Sequence, residues 1–400
     1  MKTILFLGAA HFQLSAIRYA INKNYRVYTC DNQPKNPGHK LAHKSFKIST
    51  TDVDEILKKL KHEQIDGIIT SGSDISALTV SKVAEKLNLP CNPSSVINLM
   101  TNKYLFRNFL EKNNFQKNKY IFLNKKNTNK IKELISFDKG PWIMKPNDSS
   151  GSKGIFLLNS FKDINLKIEQ SMAFSMSKLL IIEKFQQKKG PQICGDGFFK
   201  DGNIQYIAFG DGWYYSDNEC FAPYAETFPS SLSKKNLIKL KNTIEKILQR
   251  IGFIEGAFNH DSFILEDDTP FILEIGPRSG GNYIPEAIDL MYGFNSSMAS
   301  VESCLGNKYS IEKSYPNTYP CVASYMVHSL KDGYFNKIIF NKAMDKKIKS
   351  FNIYPLKGDF VKKFTNGSHS IGNCILKFDS KKEMIDMMKD HKNFYKIFIS

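Results

Sequence analysis

Arginine is scarce in this chain. Only Arg18, Arg26, Arg107, Arg250 and Arg278 stand among the 56 basic residues of 400. The net charge of +17 is therefore mostly lysine, and the lysine pairs are scattered: Lys58-Lys59, Lys125-Lys126, Lys188-Lys189, Lys234-Lys235, Lys346-Lys347 and Lys381-Lys382. A base-stacking groove needs aromatic side chains interleaved with clustered cations. None of these pairs offers that, so a solvated lysine-rich surface is expected and nucleic acid is not an expected partner. The seven cysteines form no C-x-x-C, and the eight histidines form no H-E-x-x-H. That argues against a disulfide framework or a zinc site and for free thiols in a reducing compartment. No apolar run reaches the roughly 18 residues of a membrane span. The short apolar stretch Met1–Ala10 leads directly into an α/β pattern, and it reads as a first strand rather than a signal peptide. A soluble, cytoplasmic protein is expected.

What is present is a sizeable core spread over two or three domains: 42% apolar residues and 30 Phe in 400 residues. Residues 1–95 alternate strands (Thr3–Leu7, Tyr25–Cys30, Ile65–Thr70) with helices (Gln13–Asn22, Asp54–Lys61, Ile75–Leu87). This predicts a Rossmann-like parallel sheet covered by helices. The first turn lacks two glycines of G-x-G-x-x-G, because Ala10 and Gln13 follow Gly8. A dinucleotide is therefore not expected there. His11 and Asp74 sit in loops at strand C-terminal ends, where such sheets bind ligands; packing of the loops is the other reading. Residues 96–118 look helical, as does Ser233–Ile251, with a further helix from Pro285 and a last one at Ser380–Lys389. After about 306 the composition turns to Lys-rich strands and turns. Lys362, Lys363 and His369 fall near turns there and are read as surface residues.

Gly256–Leu265 and Phe271–Gly276 read as two strands around the turn Glu266–Pro270. Asp261 and Glu274 lie at equal distances from the turn centre, which opposes them on one face with Cβ atoms roughly 5 Å apart. Like charges so placed repel, and a hard divalent cation relieves the repulsion. Mg²⁺ takes one or two carboxylates and completes its shell with phosphates and water. Pro141–Pro146 delivers Lys145 on a strand, followed by the loop Ser149, Ser150, Gly151, Ser152, Lys153, Gly154. Successive N–H groups of such a loop form an anion nest, although the order is not that of a Walker loop. Leu179–Phe185 is a buried strand ending at Glu183 and Lys184. The strand end could read an adenine edge, with Glu183 accepting from the amino group. Arg278 follows Glu274 on a Gly/Pro turn and offers a bidentate fork to carboxylate or phosphate, with Gly280 and Gly281 allowing close backbone approach to a ligand.

In this order and spacing, these motifs resemble the ATP-grasp superfamily of carboxylate–amine ligases, over roughly residues 1–305. The resemblance implies a Rossmann-like domain at 1–95, a two-lobed ATP-grasp domain at 96–305 with its central lobe at about 115–185, and a small α+β segment at 306–400. It implies that Lys103 and Lys145 hold phosphates, that residues 149–154 cover them, and that Glu183, Lys184, Phe185 and Gln186 form the adenine hinge. Asp261 and Glu274 would be the metal carboxylates for Mg²⁺ or Mn²⁺, and Arg278 the arginine beside the transferred phosphoryl group. Two departures stand out. Many members have Asn where this chain has Gly276, and Asn259 or Asn282 is the expected substitute, Asn259 facing the same side as Asp261. Many have Glu at the ribose contact, where Gln192 stands here. The implied activity is ATP-dependent joining of a small carboxylate to an amine, with an amino acid or a glycan precursor as candidate substrates. A bicarbonate-dependent carboxylase and a silent nucleotide-binding module are the alternatives, and a homodimer is an expected assembly.

Overall fold

The computed structural model describes residues 1–124, 131, 140–160, 163–215, 220–309 and 319–400; the Lys125-Lys126 pair lies outside them. The chain opens with a parallel four-stranded sheet of order β3-β2-β1-β4, built from β1 (Thr3–Leu7), β2 (Arg26–Cys30), β3 (Lys44–Phe46) and β4 (Gly67–Ile69). Every residue of β1 is buried, as a continuous apolar run between two helical layers requires. On one face Leu5 and Leu7 pack on α2 (Val53–Leu60) and α3 (Asp74–Lys86). On the other, Ile4 and Phe6 pack on α1 (Leu14–Asn22). Val301 and Cys304 share that second cluster, so a segment far along the chain completes this layer.

The single helix expected over 96–118 is two, α4 (Ser94–Thr101) and α5 (Lys103–Lys112). Asn102 breaks it in an extended conformation and caps α5, its side chain accepting from the Leu105 N–H. The break places Lys103 at the first position of α5.

A small antiparallel sheet follows, of order β5-β8-β6-β7: β5 (Tyr120–Leu123), β6 (Trp142–Pro146), β7 (Phe156–Leu158) and β8 (Leu180–Lys184). Trp142, Met144, Leu180 and Ile182 pack on α6 (Ile164–Ala173). By strand alternation the opposite face carries Ile143, Lys145 and Glu183.

The large sheet has nine strands. Its path is β14-β13-β9-β11-β12-β15-β19-β17, with β10 (Asn203–Ile207) paired to β9 (Gln192–Lys200). The others are β11 (Gly210–Trp213), β12 (Ala225–Phe228), β13 (Gly256–Ile264), β14 (Pro270–Gly276), β15 (Cys321–His328), β17 (Ile348–Ile353) and β19 (Ser370–Phe378). Phe258, Ile264, Ile272 and Ile275 of the hairpin pack with Leu240, Ile244 and Leu248 of α7 (Lys234–Ile251), and with Phe106 and Leu110 of α5. This leaves the alternate residues for the site. Helices α8 (Ile284–Tyr292) and α9 (Ser296–Ser303) follow the hairpin. A three-stranded sheet of order β18-β16-β20 and helix α10 (Lys381–Lys389) complete the described chain, with β16 (Gly333–Phe340), β18 (Phe360–Val361) and β20 (Tyr395–Ile399).

The boundary expected near 306 does not separate two sheets. β15 pairs with β12 from Ala225↔Tyr325 to Phe228↔Val322, so the later segment extends the central sheet. No helix among the described residues is long and apolar enough to cross a membrane.

Candidate active site

A cleft of 470 Å³ opens between the small sheet and the large one, a size suited to a small-molecule ligand. Lys103, Lys145, Ser152, Glu183, Lys184, Phe185, Gln186, Gln192, Asp261 and Glu274 all line it. Thus most of the residues singled out from sequence converge on one space.

Asp261 and Glu274 are directly opposed. Two offsets that cancel produce the pairing. Ser262 pairs with Ile272, so the register next to the turn is one residue off the one assumed, and a bulge at Leu273 restores it for Asp261. Burial, and then Glu274, hold the Asp261 carboxyl above the usual carboxylate range. The bulge also turns backbone carbonyls outward: Arg107 Nη2 donates to the Leu273 carbonyl at 2.8 Å.

Arg107, which the sequence reading passed over, anchors a buried ion triad. Its Nε donates to Glu183 Oε2 at 2.8 Å, and Lys145 Nζ donates to Glu183 Oε1 at 2.6 Å. This corrects the role expected for Glu183. Both carboxylate oxygens are committed to cations, so the side chain is the counter-ion of Lys145 rather than an acceptor for an adenine amino group. The two cations hold its carboxyl well below the usual range despite burial. At the hinge, the Lys184 N–H donates to the Lys119 carbonyl and the Phe185 N–H to the Pro141 carbonyl, so neither is free to read a base edge. Gln186 Nε2 donates to Asn118 Oδ1 at 2.8 Å. Lys188, also missed, lines the cleft with its ammonium 5.2 Å from the Tyr214 ring centre.

Lys103 Nζ donates to the Ser149 carbonyl at 2.7 Å, which ties α5 to the loop. In the loop after β6, Ser149 and Ser150 are irregular, Gly151, Ser152, Lys153 and Gly154 form a turn, and Ser152 is the member that lines the cleft. The loop is docked on later parts of the chain. Ser152 Oγ donates to the Phe221 carbonyl at 2.9 Å, and the Gly367 N–H to the Gly151 carbonyl at 3.0 Å.

Gln192 lines the cleft and its Nε2 donates to Asp261 Oδ1 at 3.2 Å, so it is tied to one of the two opposed acids. Asn259, expected as a third metal ligand, donates from Nδ2 to Asp196 Oδ1 and to the Gly195 carbonyl, both at 3.0 Å. That amide nitrogen fixes Asp196, a fully buried acid that also accepts from the Gly280 N–H and Ser296 Oγ, and these bonds leave the amide oxygen, the atom a metal would take, uncommitted. The close approach that Gly280 permits is therefore to Asp196: a Cβ there would lie 2.7 Å from Asp196 Oδ1.

Arg278 is outside the lining of the cleft and is clamped by Asp74 of α3, with Nε–Oδ1 at 2.8 Å and Nη2–Oδ2 at 2.6 Å. The clamp accounts for Gly276. A Cβ on that residue would lie 2.7 Å from Asp74 Oδ1 and 3.3 Å from Arg278 Cζ. The asparagine of many ATP-grasp members has no room where the Rossmann-like layer delivers an aspartate. His11 stacks on Tyr354, with ring centres 4.2 Å apart.

No family model matches the chain. It is 26% identical over 192 residues to the D-alanine–D-alanine ligase of Helicobacter pylori, a match covering 46% of this chain and 54% of that one, so the match spans about half the relative's length. It is 24% identical over 292 residues to the formate-dependent phosphoribosylglycinamide formyltransferase of Methanococcus maripaludis, covering 69% and 70% of the two chains. Among solved structures, the L-amino acid ligase of Bacillus licheniformis superposes with a TM-score of 0.83 at 16% identity, over 100% of this chain and 99% of that one. These proteins are members of the ATP-grasp superfamily, which the chain resembles in sequence and matches in fold.

Proposed function

We propose that the chain is an ATP-dependent ligase that activates a small carboxylic acid as an acyl phosphate and joins it to an amine, releasing ADP. The observation that supports this best is the charge arrangement of one cleft, with Lys103 and Lys145 in its lining together with the opposed acids Asp261 and Glu274. No group of three or more His, Cys, Asp or Glu among the described residues forms a protein-only metal cage. Two carboxylates suit Mg²⁺, which draws its remaining ligands from phosphates and water. Bound there, Mg²⁺ supplies charge neutralisation at phosphate oxygens.

The chain's own residues do the rest. Lys103 and Lys145 hold the phosphates as point charges, with Glu183 keeping Lys145 aimed into the cleft. Arg278, fixed by Asp74, stabilises the charge that develops on the transferred phosphoryl group. The 149–154 loop keeps water from the acyl phosphate. The substrates are a small carboxylate and a small amine, and seven dispersed cysteines without a C-x-x-C suit a cytoplasmic enzyme. The test is ADP and phosphate release from Mg²⁺-ATP over a panel of acids, with and without amines, followed by mass spectrometry. Release that needs both partners and yields an amide supports the reading. Release with bicarbonate alone replaces it with a carboxylase, and failure to bind Mg²⁺-ATP refutes it.

A further inference from the structure

The loop that follows β6 is held at two levels. Its base belongs to the side of the small sheet. Asn147 is fully buried, accepts from the Tyr104 N–H through Oδ1 at 3.0 Å, and accepts from the Lys103 N–H through its carbonyl. Asp148 accepts from Ser175 Oγ and from the Met176 and Ser177 N–H groups. Only the part beyond these two residues is left to contacts across the cleft. There Gly151 and Ser152 stand at φ +68° and +59°. The second is a left-handed conformation that a residue with a Cβ keeps only where its surroundings hold it. Two bonds hold this tip: Ser152 Oγ donates to the Phe221 carbonyl, and the Gly367 N–H donates to the Gly151 carbonyl. Phe221 comes just before β12 and lines the cleft with Ser152, and Gly367 lies between β18 and β19. The two bonds thus tie the tip to segments attached to the large sheet.

The turn that carries Gly367 is itself fixed. Phe364 is buried, its N–H donates to the Ser329 carbonyl, and its ring centre lies 4.4 Å from that of His328 at the end of β15. Asn366 is buried too and caps the short 3-10 turn Gly367–His369, its Oδ1 accepting from the Ser368 N–H and from Ser368 Oγ. His369 Nδ1 lies 2.8 Å from the Lys363 carbonyl and closes the turn. The Gly367 N–H is the first of this turn, where a donor has no partner within the helix, and the Gly151 carbonyl is what it meets. A Cβ on Gly367 would lie 3.6 Å from that carbonyl oxygen, an ordinary contact. The N–H, not the lack of a side chain, therefore makes the contact. Ligase chemistry gives such a contact a use. Water that reaches an acyl phosphate returns the acid and inorganic phosphate, so ADP is released and no amide forms.

We propose that residues 364–369 are the seat of the 149–154 loop, with Gly367 a positioning residue that couples ATP cleavage to amide formation. The inference rests on the ligase reading and brings the C-terminal segment into its chemistry. Gly367→Pro tests it. The ring carbon takes the place of the N–H proton and displaces the Gly151 carbonyl. Proline suits the first position of the turn, and Asn366 already has the extended backbone that precedes a proline, φ −160° and ψ 168°. One readout is ADP released in excess of amide formed, with acid and amine saturating. The other is hydrogen exchange of residues 147–156 with Mg²⁺-ADP bound. In Gly367→Pro the excess ADP should rise about 2–10-fold, the effect of one lost hydrogen bond on how often the loop opens. Exchange at 147–156 should quicken by a similar factor while β15 exchanges as before. Gly367→Ala keeps the N–H and should match the unmodified protein in both. Should the proline variant fail to fold, Asn366→Ala, which frees the turn from its cap, decides on the same two readouts. Unchanged exchange at 147–156 overturns the seat. Faster exchange with no rise in excess ADP overturns its coupling role. A change in Gly367→Ala as large as in Gly367→Pro overturns the assignment to the N–H. Absence of ADP release with every acid refutes the ligase reading, and the exchange measurement then decides the seat by itself.

Discussion

Glu183→Gln keeps the shape of the side chain and removes its charge, and the Arg107–Glu183–Lys145 triad sets the cost. The side chains of Arg107 and Glu183 are each 3% exposed and that of Lys145 is 10% exposed, with contacts of 2.8 and 2.6 Å. At an effective dielectric near 20, charges about 4 Å apart attract by about 4 kcal/mol. Removing one partner of a buried pair costs about 3–5 kcal/mol, because the other charge is left uncompensated. Here two cations lose the same partner, while Arg107 keeps the Leu273 carbonyl. The loss therefore belongs at the upper end, about 5 kcal/mol, against a total stability of about 5–15 kcal/mol for a folded protein. Urea unfolding followed by tryptophan fluorescence measures it, since Trp142 lies in the same strand as Lys145. With the phosphates facing Lys145 as proposed, saturating Mg²⁺-ATP should return part of the loss, since nothing replaces the charge beside Arg107. A variant that unfolds within about 1 kcal/mol of the unmodified protein would show that this network does not hold the cleft together.

Lys145→Ala and Glu274→Ala should each lower turnover by about 10²-fold or more, the scale of a lost electrostatic contact to the reacting group; steady-state ADP release checks this, and wild-type rates in either variant exclude the assigned role. Gly276→Ala should split the Asp74–Arg278 clamp, and in a double-mutant cycle the further change Asp74→Gly should cost less than its effect alone. Additive losses would separate Gly276 from the clamp. His260, His328 and His391 are buried, and each is lowered to about 4 chiefly by burial. The unfolded chain then binds more protons between pH about 6.5 and about 4, so stability falls as pH falls through that window, by up to about 3 kcal/mol per histidine. Because Asp261 and Glu286, raised to about 7 chiefly by burial, act in the opposite direction over the same window, the check is the change in urea midpoint from pH 7 to pH 5 in His391→Gln against the unmodified protein, and an identical change in both would contradict it.

The strands and helices with strong periodicity were legible, and so was the convergence of Lys103, Lys145, Asp261 and Glu274. The Asp261–Glu274 pairing was inferred by counting from the turn, and it holds because a bulge at Leu273 cancels a one-residue error in register. Bulges leave no reliable mark in a sequence, since the extra residue need not be glycine. Glu183 was read as a ligand contact because a strand end looks open when its neighbours are unknown. Arg107, which closes it, is 76 residues away in sequence. Gly276 looked like a lost ligand, and only the arrival of Asp74 from α3 gives it a positive reason. Gly367 carries no local motif at all. Its place at the site arises only because the C-terminal turn meets the loop at Gly151.

The continuity of the large sheet limits how this protein can be shortened. A cut at the compositional change near 306 would remove β15, β17 and β19 together and turn β12 into a sheet margin. The four residues Ala225–Phe228 are all buried, and their outward N–H and C=O groups would face solvent along an apolar ribbon. Such margins recruit other chains edge to edge. A trimmed catalytic core should therefore self-associate through β12, and the truncation would harm the molecule by making it sticky as well as by leaving the loop without its seat.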